Sequence, residues 1–473
     1  MRKILALLLA ATMVIGLTAC STTSVKTNSD AIQIVLSKNS ATIDGQKVEE
    51  FDYTWHADPS TVHDDVKNCP AEYYEGEEPS TDAAVYIAHD IIYYPELDTD
   101  GFKLVNYDGE QEYAYYYTCD EYKDFIFATL PAGSGAVPEE MMHSEKEAFD
   151  NPVLHITKAG TYEISGEWHG QILINLGDKD ETFADEKARV TIILNGVDVT
   201  CDVAPAFMAY SAYECDNTWE DQNSWSADVD TKDAGVNIVI ADDSENNFTG
   251  SNVFRMLKAK LKDDEDKSEV PTQKKAHKID GAFYSYVSMN IDGEEDDTGV
   301  LNIISTTYEG LDTELHLTIN GGIINIKAQD DGINVNEDDV SVFTMNDGKL
   351  TIYAGLGTEG DGIDSNGYIV INGGTLYAVA SPFSDNGLDA SCGYEIKGGT
   401  VVTMGSDMGG SSFQFYLDGE QQYTNREGAQ QMQPQGGGEP PQGDMQEPPE
   451  GQPGGQPGGQ PGEGEQPPEK PMA

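Results

Sequence analysis

Basic residues are scarce in this chain. Against 84 Asp and Glu stand 27 Lys and Arg, a formal net charge of −57 over 473 residues. Such a surface repels phosphate backbones and anionic lipid headgroups, so nucleic acid is excluded as a partner and divalent cations are the natural complement. Long apolar runs are missing after Ile4–Leu17, and that run is too short to cross a bilayer comfortably, so membrane contact is confined to the N-terminus. Cysteines are few: six, none in a Cys-x-x-Cys or Cys/His spacing that would hold zinc. After Cys20 an odd five remain, and Cys201 and Cys215 are the nearest candidates for a bridge. Arginine is absent between Leu301 and Gly405.

The ends carry their own signals. Arg2 and Lys3 precede the apolar run, which closes in Leu17-Thr18-Ala19-Cys20. This tetrad resembles a bacterial lipobox. The resemblance implies that residues 1–19 are a lipoprotein signal peptide and that Cys20 carries the lipid, tethering the chain to the outer face of the bacterial membrane through that lipid alone. Residues 20–50 form a polar tether and a first strand, Ala31 to Leu36. Residues 51–150 are an acidic, tyrosine-rich segment with Tyr73-Tyr74, Tyr93-Tyr94 and Tyr115-Tyr116-Tyr117, whose aromatics are expected to pack on a sheet. Residues 427–473, almost wholly Gln, Pro, Gly and Glu, cannot bury a core and are expected to be disordered.

Between these ends the sequence repeats. Asn320-Gly321-Gly322, Asn346-Asp347-Gly348, Asn372-Gly373-Gly374 and Lys397-Gly398-Gly399 each separate two short alternating apolar runs, at intervals of 25 or 26 residues. Alternation means that every second side chain faces inward. Aligned on the glycines, Leu301, Ile324, Leu350, Leu376 and Val401 fall in one column, and Ile303, Ile326, Ile352, Ala378 and Thr403 in the next. Before the turn, Met289, Leu317, Phe343, Ile369 and Tyr394 make a third column, and Ile291, Ile319, Met345, Ile371 and Ile396 a fourth. Columns of this kind stack inside a tube, so residues 151–426 are expected to be all-β: a right-handed parallel β-helix, a solenoid with coils of about 22–30 residues. Insertions fall near 211–233 and 254–278, and the second, with most of the local positive charge, is expected to be an exposed loop or a short helix.

A second signal recurs between the turns: Glu309-Gly310-Leu311-Asp312, Asp331-Gly332-Ile333-Asn334, Asp361-Gly362-Ile363-Asp364 and Asn386-Gly387-Leu388-Asp389. Asp312, Asn334, Asp364 and Asp389 would then recur at one corner of successive coils about 4.8 Å apart, with Asp331, Asn336, Asp361 and Asp385 nearby. Oxygens from two coils can meet one ion that takes six to eight oxygen ligands, so these eight residues are candidate Ca2+ ligands. The alternative is a ladder of Asp and Asn that only caps turns. Gly355-Leu356-Gly357-Thr358-Glu359-Gly360 spells the dinucleotide fingerprint, but no helix pattern follows and the flanking acids oppose a pyrophosphate.

Ala159-Gly160-Thr161-Tyr162 with Ser165-Gly166, Leu194-Asn195-Gly196-Val197-Asp198-Val199, and the repeated Asn-Gly-Gly and Asp-Gly-Ile-Asp turns resemble a bacterial family of surface carbohydrate-binding parallel β-helix proteins. The resemblance implies a pectate-lyase-like fold, calcium on acidic residues near the turns, and binding of cellulose or polygalacturonate-type polysaccharide. For a neutral glucan the partners would be exposed aromatics, and Tyr353 and Tyr377 are the outward candidates, in different columns. Calcium-assisted lysis needs a base, commonly Arg or Lys. The repeats offer only Lys327, Lys349 and Lys397, all placed as solvated strand or turn residues. A membrane-tethered, calcium-carrying, non-catalytic polysaccharide binder is therefore expected. An acidic-polysaccharide lyase and a structural or adhesion protein are the alternatives.

Overall fold

The computed structural model describes residues 31–62, 70–79, 82–92, 143–216, 224–251, 279–357, 359–382, 385–407 and 410–424, together with the strand segments 102–107, 111–116, 126–129, 257–260 and 272–275. Cys20 and residues 427–473 lie outside them. All the described residues belong to one compact unit that ends at Met432.

Each turn of the chain contributes three short strands, one to each of three faces. Leu311–Thr313, Leu317–Ile319 and Ile323–Lys327 make one such turn. The next turns lay Ile333–Val335, Val342–Met345 and Lys349–Tyr353 upon them in parallel register, then Ile363–Ser365, Tyr368–Ile371 and Thr375–Val379. All four apolar columns form as the alternation requires: Leu301 pairs with Ile324, Ile324 with Leu350, Leu350 with Leu376 and Leu376 with Val401. Leu317 pairs with Phe343, Phe343 with Ile369 and Ile369 with Tyr394. These columns belong to one core that runs the length of the stack, in which Phe207 and Phe283 stack at 4.2 Å on neighbouring turns.

Glycine does two different jobs. In the Asn-Gly-Gly turns and the equivalent Lys397-Gly398-Gly399 turn, Gly322, Gly374 and Gly399 take φ of 85°, 79° and 73°, a left-handed conformation that turns the chain from one face to the next. In the Asp-Gly-Ile turns the need is room. A Cβ on Gly332 would lie 2.1 Å from Ile352 Cγ2 and 2.6 Å from the Gly362 carbonyl oxygen.

The ends of the stack are closed by antiparallel pairs. Ile32–Lys38 lies parallel on Gly160–His169 and folds back on Ser40–Ile43. At the other end Thr400–Asp407 pairs antiparallel with Gly410–Leu417, which pairs with Glu420–Thr424. Three points of the sequence reading are settled here. Part of the tyrosine-rich segment joins the stack: Val85–His89 pairs antiparallel with Val153–Ile156, and Glu50–Val62 pairs in turn with Val85–His89. The segment near 254–278 holds strands instead of a loop or helix. Leu257–Lys260 and Thr272–Lys275 pair antiparallel in a five-stranded sheet with segments 102–107, 111–116 and 126–129. Cys201 and Cys215 form no bridge, since Cys201 faces the apolar core while Cys215 contacts Glu214 in a turn.

Because the core is columnar, a gap in one column is felt by the turns above and below. Phe343→Ala is expected to lower the unfolding free energy by about 3–5 kcal/mol, and Tyr353→Ala, on the outer surface, by less than about 1 kcal/mol, as read by denaturant titration.

Candidate metal centre on the acidic face

One face of the stack carries the acids. Along each of its strands the first and third residues point into the core, as Leu311 and Thr313 do, so the middle residue points away from it. That middle position is Asp312, Asn334, Asp364 and Asp389 on successive turns, in direct register. Three residues earlier, before the close-packed glycine, stand Glu309, Asp331, Asp361 and Asn386. Two adjacent columns of side-chain oxygens therefore climb the same face.

Access changes along the columns. Asp312 is buried, Asn334 is 7% exposed, Asp364 is half-buried and Asp389 is open. Where the columns emerge, carboxylate oxygens of Asp361, Asp364 and Asp389 lie within 4.8 Å of one another, an acidic triad that could hold a metal ion. At that separation each ionised pair repels by about 3.5 kcal/mol at an effective dielectric constant of about 20. The strain is visible in the acids themselves. Burial first, then the charges of Asp389 and its acidic neighbours, push Asp361 up to about 8 and Asp364 up to about 6. Burial, with Asp330 and Asp364 adding to it, raises Asp331 well above the ordinary carboxylate range.

Backbone amides relieve part of this. The Asp361 N–H donates to Asp331 Oδ1 at 2.6 Å, the Asn386 N–H donates to Asp361 Oδ1, and the Gly360 N–H donates to Asp385 Oδ2 at 2.9 Å. Two buried amide oxygens of these columns are left over, Asn386 Oδ1 and Asn334 Oδ1. Asn334 Oδ1, buried beside Asp364 in the same column, accepts no hydrogen bond. A buried acceptor without a donor costs about 1–3 kcal/mol, and a cation would satisfy it together with the triad. The residues present therefore fit an oxygen-seeking ion.

Amide ladders elsewhere on the stack show the contrast. At the Asn-Gly-Gly turns Asn372 donates to Asn346, Asn346 to Asn320 and Asn320 to Asp292, each at 2.8–2.9 Å. That ladder caps turns and satisfies itself. The acidic columns do not.

The structure divides the eight expected ligands. Asp361, Asp364 and Asp389 converge, with Asn334 and Asp331 next to them. Asp312 is held further back by Asn336, whose Nδ2 donates to its Oδ1 at 2.6 Å, and Asp385 is engaged by backbone. Asn386 and Glu309 were not among the expected ligands, although the residue before each repeated glycine was a sufficient signal for both. Tyr353 and Tyr377 lie on a different face. Tyr377 pairs with Thr351 and Tyr353 with Val379, which sets the two exposed rings diagonally, about 8 Å apart for strand spacings of this kind.

Residues 150–437 match the family model described as carbohydrate-binding domain-containing protein, and the chain belongs to that family. Among solved structures it is similar to the polysaccharide lyase-like protein from C. thermocellum, determined as a gadolinium derivative. The identity is 23% over 53% of this chain and 84% of that one, with a TM-score of 0.33. No curated protein sequence matches the chain.

The raised acids fix the sign of a pH effect. Asp361 and Asp364 hold protons more tightly folded than unfolded, so their contribution to stability is full below about pH 4 and is lost as pH rises through about 6 and about 8. Chelator-treated protein is expected to melt at a higher temperature at pH 5.5 than at pH 8.5 so far as this site governs. A bound divalent ion should raise the melting temperature more at pH 8.5, where it does not compete with protons; Asp361→Asn with Asp364→Asn should flatten both responses.

Proposed function

We propose that this protein is a right-handed parallel β-helix that binds an acidic polysaccharide through calcium, without catalysis. The observation that carries this is the acidic triad Asp361, Asp364 and Asp389 beside the unsatisfied Asn334 oxygen, at the place where the columns open to solvent. Asp361, Asp364, Asp389 and Asn334 would hold the ion, and the backbone amides on Asp331 and Asp361 fix the carboxylates around it. Calcium, when bound, would leave coordination positions for the carboxylates of a uronate chain. This explains how a chain of net charge −57 can hold an anionic glycan of the polygalacturonate class. The family supports carbohydrate as the partner, and the lipobox-like Cys20 supports a tether to the outer face of the bacterial membrane.

Binding without lysis is favoured by where the bases lie. Lys327 and Lys349 stand on the strands of another face, and Lys397 is paired with Glu395 at 2.9 Å. No lysine or arginine of the repeats is therefore beside the triad to take the proton next to a uronate carboxylate. Tyr353 and Tyr377, on their separate face, suit the flat side of a neutral glucan such as cellulose.

Polygalacturonate binding followed by affinity electrophoresis should be retained with calcium, lost with chelator, and weakened at least about tenfold by Asp364→Asn. Binding that survives chelation with the fold intact would refute calcium bridging. Incubation with polygalacturonate should yield no unsaturated uronate absorbance, and its appearance would establish the lyase alternative.

A further inference from the structure

The part of the chain upstream of residue 150 contributes an open cavity at the N-terminal end of the stack. It has a volume of about 600 Å³, within the range of small-ligand sites, and is lined by residues between Lys47 and Phe149, so it lies outside the family-matched segment. Its aromatic wall is built by local structure. Ser144 caps the helix Glu145–Asp150 reciprocally with Glu147, and that helix carries Phe149 onto His89, ring on ring at 4.0 Å and 8°. His89 Nδ1 meets the Phe149 carbonyl oxygen at 2.7 Å, which requires a proton on Nδ1 and locks the pair. Phe149 is nevertheless 45% exposed, so the stack leaves apolar surface open at the cavity.

The rest of the lining is rich in acceptors. Glu49, Glu50 and Asp52 are all exposed side chains of the same wall, and Glu50 reaches His89 Nε2 at 3.4 Å. Lys47 is the cation of the lining. The acids do not converge as a cation site would: among the described residues only Asp361, Asp364 and Asp389 bring three ligand atoms within 4.8 Å. Three carboxylates facing one ammonium also repel a uronate or a phosphate. A ligand with many hydroxyl donors and a flat C–H face, but no charge, meets both halves of the wall.

We propose that this cavity is a second carbohydrate site, one that takes a neutral oligosaccharide: a pyranose ring packs on Phe149 and its hydroxyls donate to Glu49, Glu50 and Asp52. It needs no metal and stands apart from the calcium site in place and in ligand class. The test is calorimetric titration of the full chain, in chelator, with β-1,4-linked gluco-, xylo- and manno-oligosaccharides. At least one should bind. Phe149→Ala should weaken it about three- to tenfold, Glu49→Gln with Asp52→Asn should weaken it comparably, and Asp364→Asn should leave it unchanged. The double variant changes only exposed side chains, so it decides the matter if Phe149→Ala melts early. Failure of every neutral oligosaccharide to bind, or binding indifferent to both variants, would overturn the site. So would calcium binding that survives Asp361→Asn with Asp364→Asn but is lost with Glu49→Gln and Asp52→Asn, since the cavity would then hold a cation.

Discussion

Parallel stacking in register imposes one constraint on everything else in this molecule: whatever occupies a position on one turn meets its counterpart on the next, about 4.8 Å away. For apolar side chains that repetition is favourable, and the four interior columns exploit it by filling the core with Leu, Ile and Phe in direct contact. For amides it is favourable too, because each Asn side chain can donate to the one before it, as Asn372, Asn346 and Asn320 do. For carboxylates it is unfavourable, because every stacked pair is a like-charge pair at close range.

The acidic face deals with this in graded ways. Upstream, where Asp312 is buried, an amide from Asn336 sits against it. In the middle the column changes chemistry, with the neutral Asn334 separating Asp312 from Asp364. Backbone amides take up Asp331 and Asp361. Only at the open end do Asp361, Asp364 and Asp389 crowd without enough donors, and there the alternatives are protonation, toward which burial and the neighbouring charges push Asp361 and Asp364, and a cation. Charge repulsion that would be a defect in a buried column is placed here where solvent can reach it and a cation could relieve it.

How much of this was legible in the sequence follows from the same constraint. Residues 289–403 could be set in register because glycine spacing and strand alternation are local signals that repeat, and every column drawn from them pairs as drawn. The corner column of Asp and Asn was legible too, as position; which of its members converge was not, because that depends on burial along the stack and on which amides reach which oxygens. The tyrosine-rich segment was opaque for a different reason. Val85–His89 joins the stack by antiparallel pairing with Val153–Ile156, a contact between segments far apart in sequence that no period announces. The strands near 257 and 275 were hidden likewise, since Leu257–Lys260 carries lysines that suggest a solvated loop and pairs with Thr272–Lys275 across a long gap.

Different faces of one stack can therefore carry different recognition chemistry, because outward positions are free of the demands of the core. Inward residues are held to apolar types by every turn above and below them. Outward ones need only tolerate their own column. On the face with Tyr353 and Tyr377 the outward positions hold Asn325, Thr351, Tyr353, Tyr377 and Val379 beside Lys327 and Lys349, so that face carries no carboxylate at these positions and a neutral sugar can approach it. On the opposite chemistry of the Asp and Asn face, a neutral sugar would find unsatisfied charge and an acidic one would find repulsion until an ion intervenes. If calcium occupies the triad, as proposed, selectivity between the two glycan classes would rest on three aspartates and one asparagine, separable by mutation from the core that holds them in place.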